Sequence, residues 1–220
     1  MISKEFSEVH VLVHPHYAVA GGNAVKRFTP SDELPGVRSD LITRLAKGSR
    51  NRESRISEVD LTFRFYKAQI DQISKNPDAT LIILKNIHED EFKSKVASAT
   101  INSFKERNER RGVVKVFSNH LSQQQNRLIA YAQRKLKKRI TVLEFNPREL
   151  PAFGKEVSER ISSGKLKVAS GVKFSVFGED ISHCVHNAHV SLQKEGFNSV
   201  IATSKCPPSV YGKEDFYTYD

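Results

Sequence analysis

Tryptophan is absent from this chain, methionine occurs once and cysteine only twice. Cys184 and Cys206 make no disulfide framework, so the stapled secreted folds are excluded and a reducing, cytoplasmic setting is expected. No apolar run approaches the ~20 residues needed to cross a bilayer, and no membrane association is expected. The opening Met1-Ile2-Ser3-Lys4-Glu5-Phe6 lacks the apolar stretch of a signal peptide. With 11 Gly and 8 Pro, collagen-like and low-complexity chains are excluded, and no repeat recurs at solenoid periods. What is present is 220 residues, 38% of them hydrophobic, enough to bury a sizeable core. The 35 Lys and Arg against 25 Asp and Glu give a net charge of +10, which suggests an anionic partner.

Six short runs rich in Val, Ile, Leu or Phe read as strands covered on both faces: Val9–Pro15, Thr80–Lys85, Val113–Phe117, Ile140–Phe145, Val172–Phe177 and Ser199–Thr203. Between them apolar residues fall at helical spacing. Leu61, Phe65 and Ala68 stripe one helix, stopped by Asn76-Pro77-Asp78. Phe92, Val96 and Phe104 mark a second, ended by Gly112, and Leu121, Leu128, Ala132 and Leu136 a third, with Ser122 and Gln125 near its start. Phe153, Val157 and Ile161 stripe a fourth, closed by Gly164. The fifth opens around Ser182, turns Val185, Ala188 and Leu192 inward and stops at Gly196. This alternation predicts an α/β, doubly wound, mostly parallel sheet of about six strands with helices on both faces, a Rossmann-like three-layer sandwich.

One domain is expected over residues 1–205. Residues 18–56 break the alternation with Gly21, Gly22, Pro30, Pro35 and Gly36, and then a basic stretch from Arg38 to Arg55. They read as an irregular insertion with one short helix at Asp40–Lys47, of the kind that serves as a lid. Residues 206–220 read as a C-terminal tail.

Ligands of open parallel sheets bind outside the carboxyl ends of the strands. His14, His16 and Tyr17 follow the first expected strand; Asn86, His88, Glu89 and Asp90 the second; Ser118, Asn119 and His120 the third. Glu144 and Asn146 stand around the end of the fourth. Gly178, Glu179, Asp180, His183 and Cys184 follow the fifth, and Ser204, Lys205 and Cys206 the sixth. Five of the eight histidines thus gather at one edge. Cys184 falls in the first turn of a helix, where backbone amides and the helix dipole favour a thiolate and can hold an oxyanion. The plainer reading of Cys184 is a small buried hydrophobe at a helix–sheet interface.

From Val172 to Ser204 the stretch VKFSVFGEDISHCVHNAHVSLQKEGFNSVIATS resembles the late segment of isochorismatase-like cysteine hydrolases. Gly178, Cys184, Val185, Ala188, Gly196 and the strand Ser199–Thr203 match that family's order and spacing over about 33 of the 220 residues. The resemblance implies a cysteine nucleophile attacking an amide-like carbon, assisted by an Asp ending the first strand and a Lys from a middle strand. Here the first strand ends His14-Pro15-His16, and Lys85 or Lys115 is the nearest lysine. The catalytic set expected is therefore Cys184 with His14 or His16 as base. Asn119, His120, Glu179, Asp180 and His183 are the expected substrate-binding residues.

The competing reading is a non-catalytic binding protein for nucleic acid or another polyanion. Its strongest cluster is Arg134, Lys135, Lys137, Lys138 and Arg139 at a helix C-terminus, on the edge opposite the thiol. Further basic clusters lie at Arg44–Arg55 and Lys105–Arg111, without an RNA-binding aromatic motif, helix-turn-helix signature or zinc finger. No cofactor is expected. A bound metal is a lesser reading, resting on His183, His186 and His189 at three-residue spacing without an HExxH or paired CxxC pattern. A nucleotide-binding module is weaker still, since Ala20-Gly21-Gly22-Asn23 is neither GxGxxG nor a Walker motif.

Overall fold

The structure is a computed structural model, and it describes residues 5–16, 57–86 and 107–206. The expected insertion at 18–56, the helix marked by Phe92, Val96 and Phe104, and the tail beyond Cys206 lie outside the described residues. Among the described residues, five strands form one all-parallel sheet: β1 (Phe6–Val13), β2 (Ala79–Lys85), β3 (Ile140–Glu144), β4 (Val168–Gly178) and β5 (Asn198–Ile201). Their order is β3-β2-β1-β4-β5, the order of a Rossmann-like α/β fold, with the direction of winding reversing between β1 and β4.

Among the described residues four α-helices accompany the strands: α1 (Ser57–Lys75), α2 (Arg107–Leu136), α3 (Phe153–Ser162) and α4 (His186–Lys194). In α1 the buried residues Thr62, Tyr66, Gln69, Ile70 and Ile73 recur at intervals of three and four, which is the stripe that packs on a sheet. In α2 the same spacing runs through Leu121, Gln124, Gln125, Leu128, Ile129, Ala132 and Leu136. Lys137, in the left-handed conformation at φ 54°, ends that helix. α1 and α2 are tied by the Tyr131 hydroxyl, which donates to Asp71 Oδ1 at 2.5 Å, and by Lys135 Nζ 3.5 Å from the same oxygen. The Tyr131 bond, aided by Lys135, holds the Asp71 carboxyl below the ordinary range.

α3 and α4 meet at Gly154, where a Cβ would collide with the main-chain carbonyl of Ser191. The Ser191 hydroxyl instead donates to Pro151 O at 2.9 Å and accepts from Gly154 N at 2.8 Å. Period-two alternation divides the sheet between the helix pairs: Phe177 meets Tyr66 of α1, while Phe174 meets Phe197 beyond α4. The core therefore lies on both faces, with Val9, Val11, Leu12, Leu81, Ile82, Ile83 and Leu84 buried in the two central strands.

One expected strand is absent. Val113–Phe117 lies inside α2, which is already helical at Arg107, well before Leu121, and Gly112 does not end a helix there. A five-residue apolar run does not distinguish strand from helix by periodicity. Arg and Glu before it and Gln after it favour helix strongly enough to absorb the ~1 kcal/mol cost of one glycine. Among the described residues the sheet accordingly has five strands where about six are expected.

The chain separates into two compact units. The first holds the whole sheet, α3, α4 and the C-terminal parts of α1 and α2. The second, among the described residues, holds His16, residues 57–64 and residues 107–126.

Candidate functional site

β1 leaves the sheet through unusual backbone. His14 has φ 42° and His16 φ 68°, two of the three non-glycine residues with positive φ among those described. Such conformations cost roughly 1–3 kcal/mol each and persist where surrounding structure enforces them, often at functional sites. For His14 the enforcement is visible. Its main-chain N–H donates to Leu84 O at 3.0 Å, and its ring Nε2–H donates to Phe145 O at 2.9 Å. A carbonyl only accepts, so this bond selects the tautomer protonated at Nε2. The buried ring leans across the end of β2 toward β3.

β4 leaves the sheet beside β1. Val13 pairs with Gly178, and a Cβ at Gly178 would come within 2.7 Å of Val13 O and 2.9 Å of Val185 Cγ2. Glycine here lets the following turn close down on the β1–β4 boundary. That turn, Ile181–Val185, is a single π-helical turn, with Val185 N–H donating to Asp180 O at 3.0 Å. Single π turns are frequent at functional sites. Cys184 sits in it, 6% exposed, two residues before α4. His183 precedes it, solvent-facing, with Nδ1 3.1 Å from Asp180 Oδ1.

Beneath this turn lies a group not anticipated from the sequence. Tyr66 of α1 is fully buried, and its phenol is held well above the ordinary tyrosine range by burial and then by Glu179 and Cys206 nearby. The Cys206 thiol is pushed up to about 11 by burial, and its Sγ lies 3.5 Å from Ala202 O. Burial thus holds Cys206 protonated at neutral pH.

At the end of β2, between the exits of β1 and β3, stands Asn86. It is 3% exposed, and neither its Oδ1 nor its Nδ2 has a hydrogen-bond partner among the described residues. A buried amide left in this way forgoes ~1–3 kcal/mol per polar group, which calls for a reason beyond packing. Lys85 beside it pairs with Glu144 at 3.6 Å.

Asn119 and His120 do not follow a strand; they lie within α2 and belong to the second unit, as does His16. There His16 is completely buried, stacks on Phe63 at 6.4 Å, and has its pKa lowered to about 3 by burial and then by His120. A base needs a pKa near the working pH, so His16 is poorly suited to that role. Asn146, expected at the edge, caps the 3₁₀ turn Pro147–Ala152: its side chain accepts from Arg148 N at 2.9 Å while Glu149 accepts from Asn146 N. His189 is engaged with the Ser199 hydroxyl at 2.8 Å. Among the described residues no group of three or more His, Cys, Asp or Glu is arranged to hold a metal ion, and no helix is long and apolar enough to cross a membrane.

The basic cluster divides. Arg134, Lys137 and Lys138 are exposed, and Lys135 lies 3.5 Å from Asp71 and over the Tyr131 ring. Arg139 turns inward, donating to the carbonyls of Ser74, Asn76 and Ala79 at 2.5–3.0 Å. A third buried histidine among the described residues, His10 in the middle of β1, was not marked by its sequence context. It lies 3.1 Å from Lys205 Nζ and 3.4 Å from Glu8, and its pKa is lowered to about 4 by burial and then by Lys205. A polar residue within an otherwise apolar strand is the signal that could have found it.

No family model, curated protein or solved structure matches this chain.

Proposed function

We propose that this chain takes up a small amide-like molecule at the carboxyl edge of its sheet and that Cys184 attacks it as a nucleophile. The observation that carries the reading is the position of Cys184: it opens the helix after β4, the strand that borders β1 where the winding reverses. The resemblance of residues 172–204 to isochorismatase-like cysteine hydrolases points the same way. In the reaction the Cys184 proton passes to an imidazole and the sulfur adds to the carbonyl carbon. The amine leaves with that proton, and water releases the acid from the thioester. His14 is the imidazole in this reading, which requires its ring to give up Phe145 O and turn back toward β4.

The test needs no substrate. At pH 7.5 a thiol near 11, such as Cys206, is ionised at well under ~0.1%, whereas the reading requires Cys184 to supply a thiolate. Iodoacetamide should therefore modify Cys184 at least tenfold faster than Cys206, read by peptide mass spectrometry. Equal or inverted rates would remove Cys184 as the nucleophile.

Polyanion binding is the second reading, favoured by the exposure of Arg134, Lys137 and Lys138. It is weaker, because Lys135 and Arg139 are engaged by the fold itself.

A further inference from the structure

The end of β2 is fastened from both sides. His14 N–H reaches Leu84 O, and Phe145 N–H reaches Lys85 O at 2.9 Å. The His14 ring completes the bracket by spanning from β1 to Phe145 O. Asn86 is the next residue. It continues the alternate row of Ile82 and Leu84, both fully buried, but substitutes a carboxamide for an aliphatic side chain. A leucine would fill such a place without polar cost, yet here both polar atoms of the amide are out of water and unanswered among the described residues. The backbone around it is rigidly held and, at His14, strained. A side chain that is buried, unpartnered and preorganised at the ligand-binding edge of a parallel sheet has the features of a recognition element awaiting its complement.

The chemistry of that complement follows from the amide. Oδ1 accepts and Nδ2 donates from adjacent positions in one plane, so the best-matched group offers a donor beside an acceptor in the same plane. We infer that Asn86 reads a planar donor–acceptor edge: a primary carboxamide, a lactam or the equivalent edge of a nucleobase. This rests on the carboxyl-edge site proposed above and not on the reactivity of Cys184. It adds a ligand-reading residue on β2 to a site otherwise drawn around β1 and β4.

The experiment uses the full chain carrying Cys184→Ala, so that no probe is consumed. Benzamide, 2-pyridone and adenine represent the three sources of the edge. N,N-dimethylbenzamide and N-methyl-2-pyridone are controls that remove the donor. Binding is measured by ligand-observed NMR and calorimetry, and melting is followed in parallel. The expected result is that at least one parent probe binds, that N-methylation weakens the benzamide or pyridone at least tenfold, and that Asn86→Leu weakens the bound probe at least tenfold. Asn86→Leu should melt at the same temperature as its parent or higher, because it removes an uncompensated polar burial. Three results would overturn the inference: no parent probe binding, binding unaffected by Asn86→Leu, or a fall of several degrees in melting temperature, which would make the amide structural. Binding that depends on Asn86 in a chain with no hydrolytic activity would leave this inference standing and remove only the Cys184 reaction.

Discussion

At the amino ends of the strands, polar groups close on one another; at the carboxyl ends they are buried, strained or unanswered. Before β3, Arg139 spans to three carbonyls at the end of α1 and the start of β2, and its own carbonyl accepts from Leu81 N–H and the Thr80 hydroxyl. Asp78 O accepts from the N–H groups of Ser7 and Glu8 at the start of β1, and Asn76 Oδ1 accepts from Asp78 N–H. Across the sheet, His14 holds φ 42°, Asn86 lacks partners among the described residues, and a π turn carries Cys184. Satisfied polar networks stabilise, whereas unsatisfied or strained ones are retained at a cost. The difference separates an end of the sheet whose polar groups are satisfied within the fold from the end at which we propose that ligands bind.

Arg139→Met breaks the comparison most severely. Removing the guanidinium leaves three carbonyls without their charged donor, and unfolding free energy should fall by about 3 kcal/mol in urea titration. Probe binding at the carboxyl edge should persist in the folded fraction. Lys137→Gln with Lys138→Gln is the companion variant: stability should be unchanged, and any affinity for heparin should drop and show steep salt dependence under the second reading. A loss of stability in the companion equal to that of Arg139→Met would erase the distinction between fold cations and surface cations.

Acid sharpens the comparison from inside the sheet. His10, at about 4, and His16, at about 3, are both depressed by burial below the ordinary histidine value. Between pH 6.5 and 4 the unfolded chain takes up protons on these residues that the folded chain refuses, so stability falls as pH falls through that window and is constant above it. For His10 the expected loss from pH 7 to pH 5 is roughly 2 kcal/mol. His10→Gln should flatten part of that slope in melting curves, and an unchanged slope would mean that His10 is not a buried neutral imidazole.

Much of this fold was legible in the chain. β1, β2, β3 and β4 are apolar runs because strands covered on both faces admit few polar residues, and Gly178 to Cys184 stood out as strand, glycine turn and thiol. Val113–Phe117 misled because five residues carry no decisive period, and with that strand went the expectation that Asn119 and His120 follow one. Arg139 read as one more cation in a basic run, and Asn146 as one more polar loop residue. Their roles come from long-range partners, Ser74, Asn76 and Ala79 for the first, and from the cap made with Glu149 for the second. Asn86 stood at the expected edge by its place after the second strand, but neither its lack of a partner among the described residues nor the proximity of Tyr66 to Glu179 is written in local sequence.

The claim that chemistry resides at the carboxyl edge is tested most directly by turnover. Hydrolysis of a panel of primary amides and lactams should be compared, at pH 7.5, for the wild-type chain and for Cys184→Ala. The account predicts release of acid from at least one amide by the wild-type chain, and a loss of at least ~10³-fold in Cys184→Ala with melting temperature unchanged. Turnover retained in Cys184→Ala would contradict it.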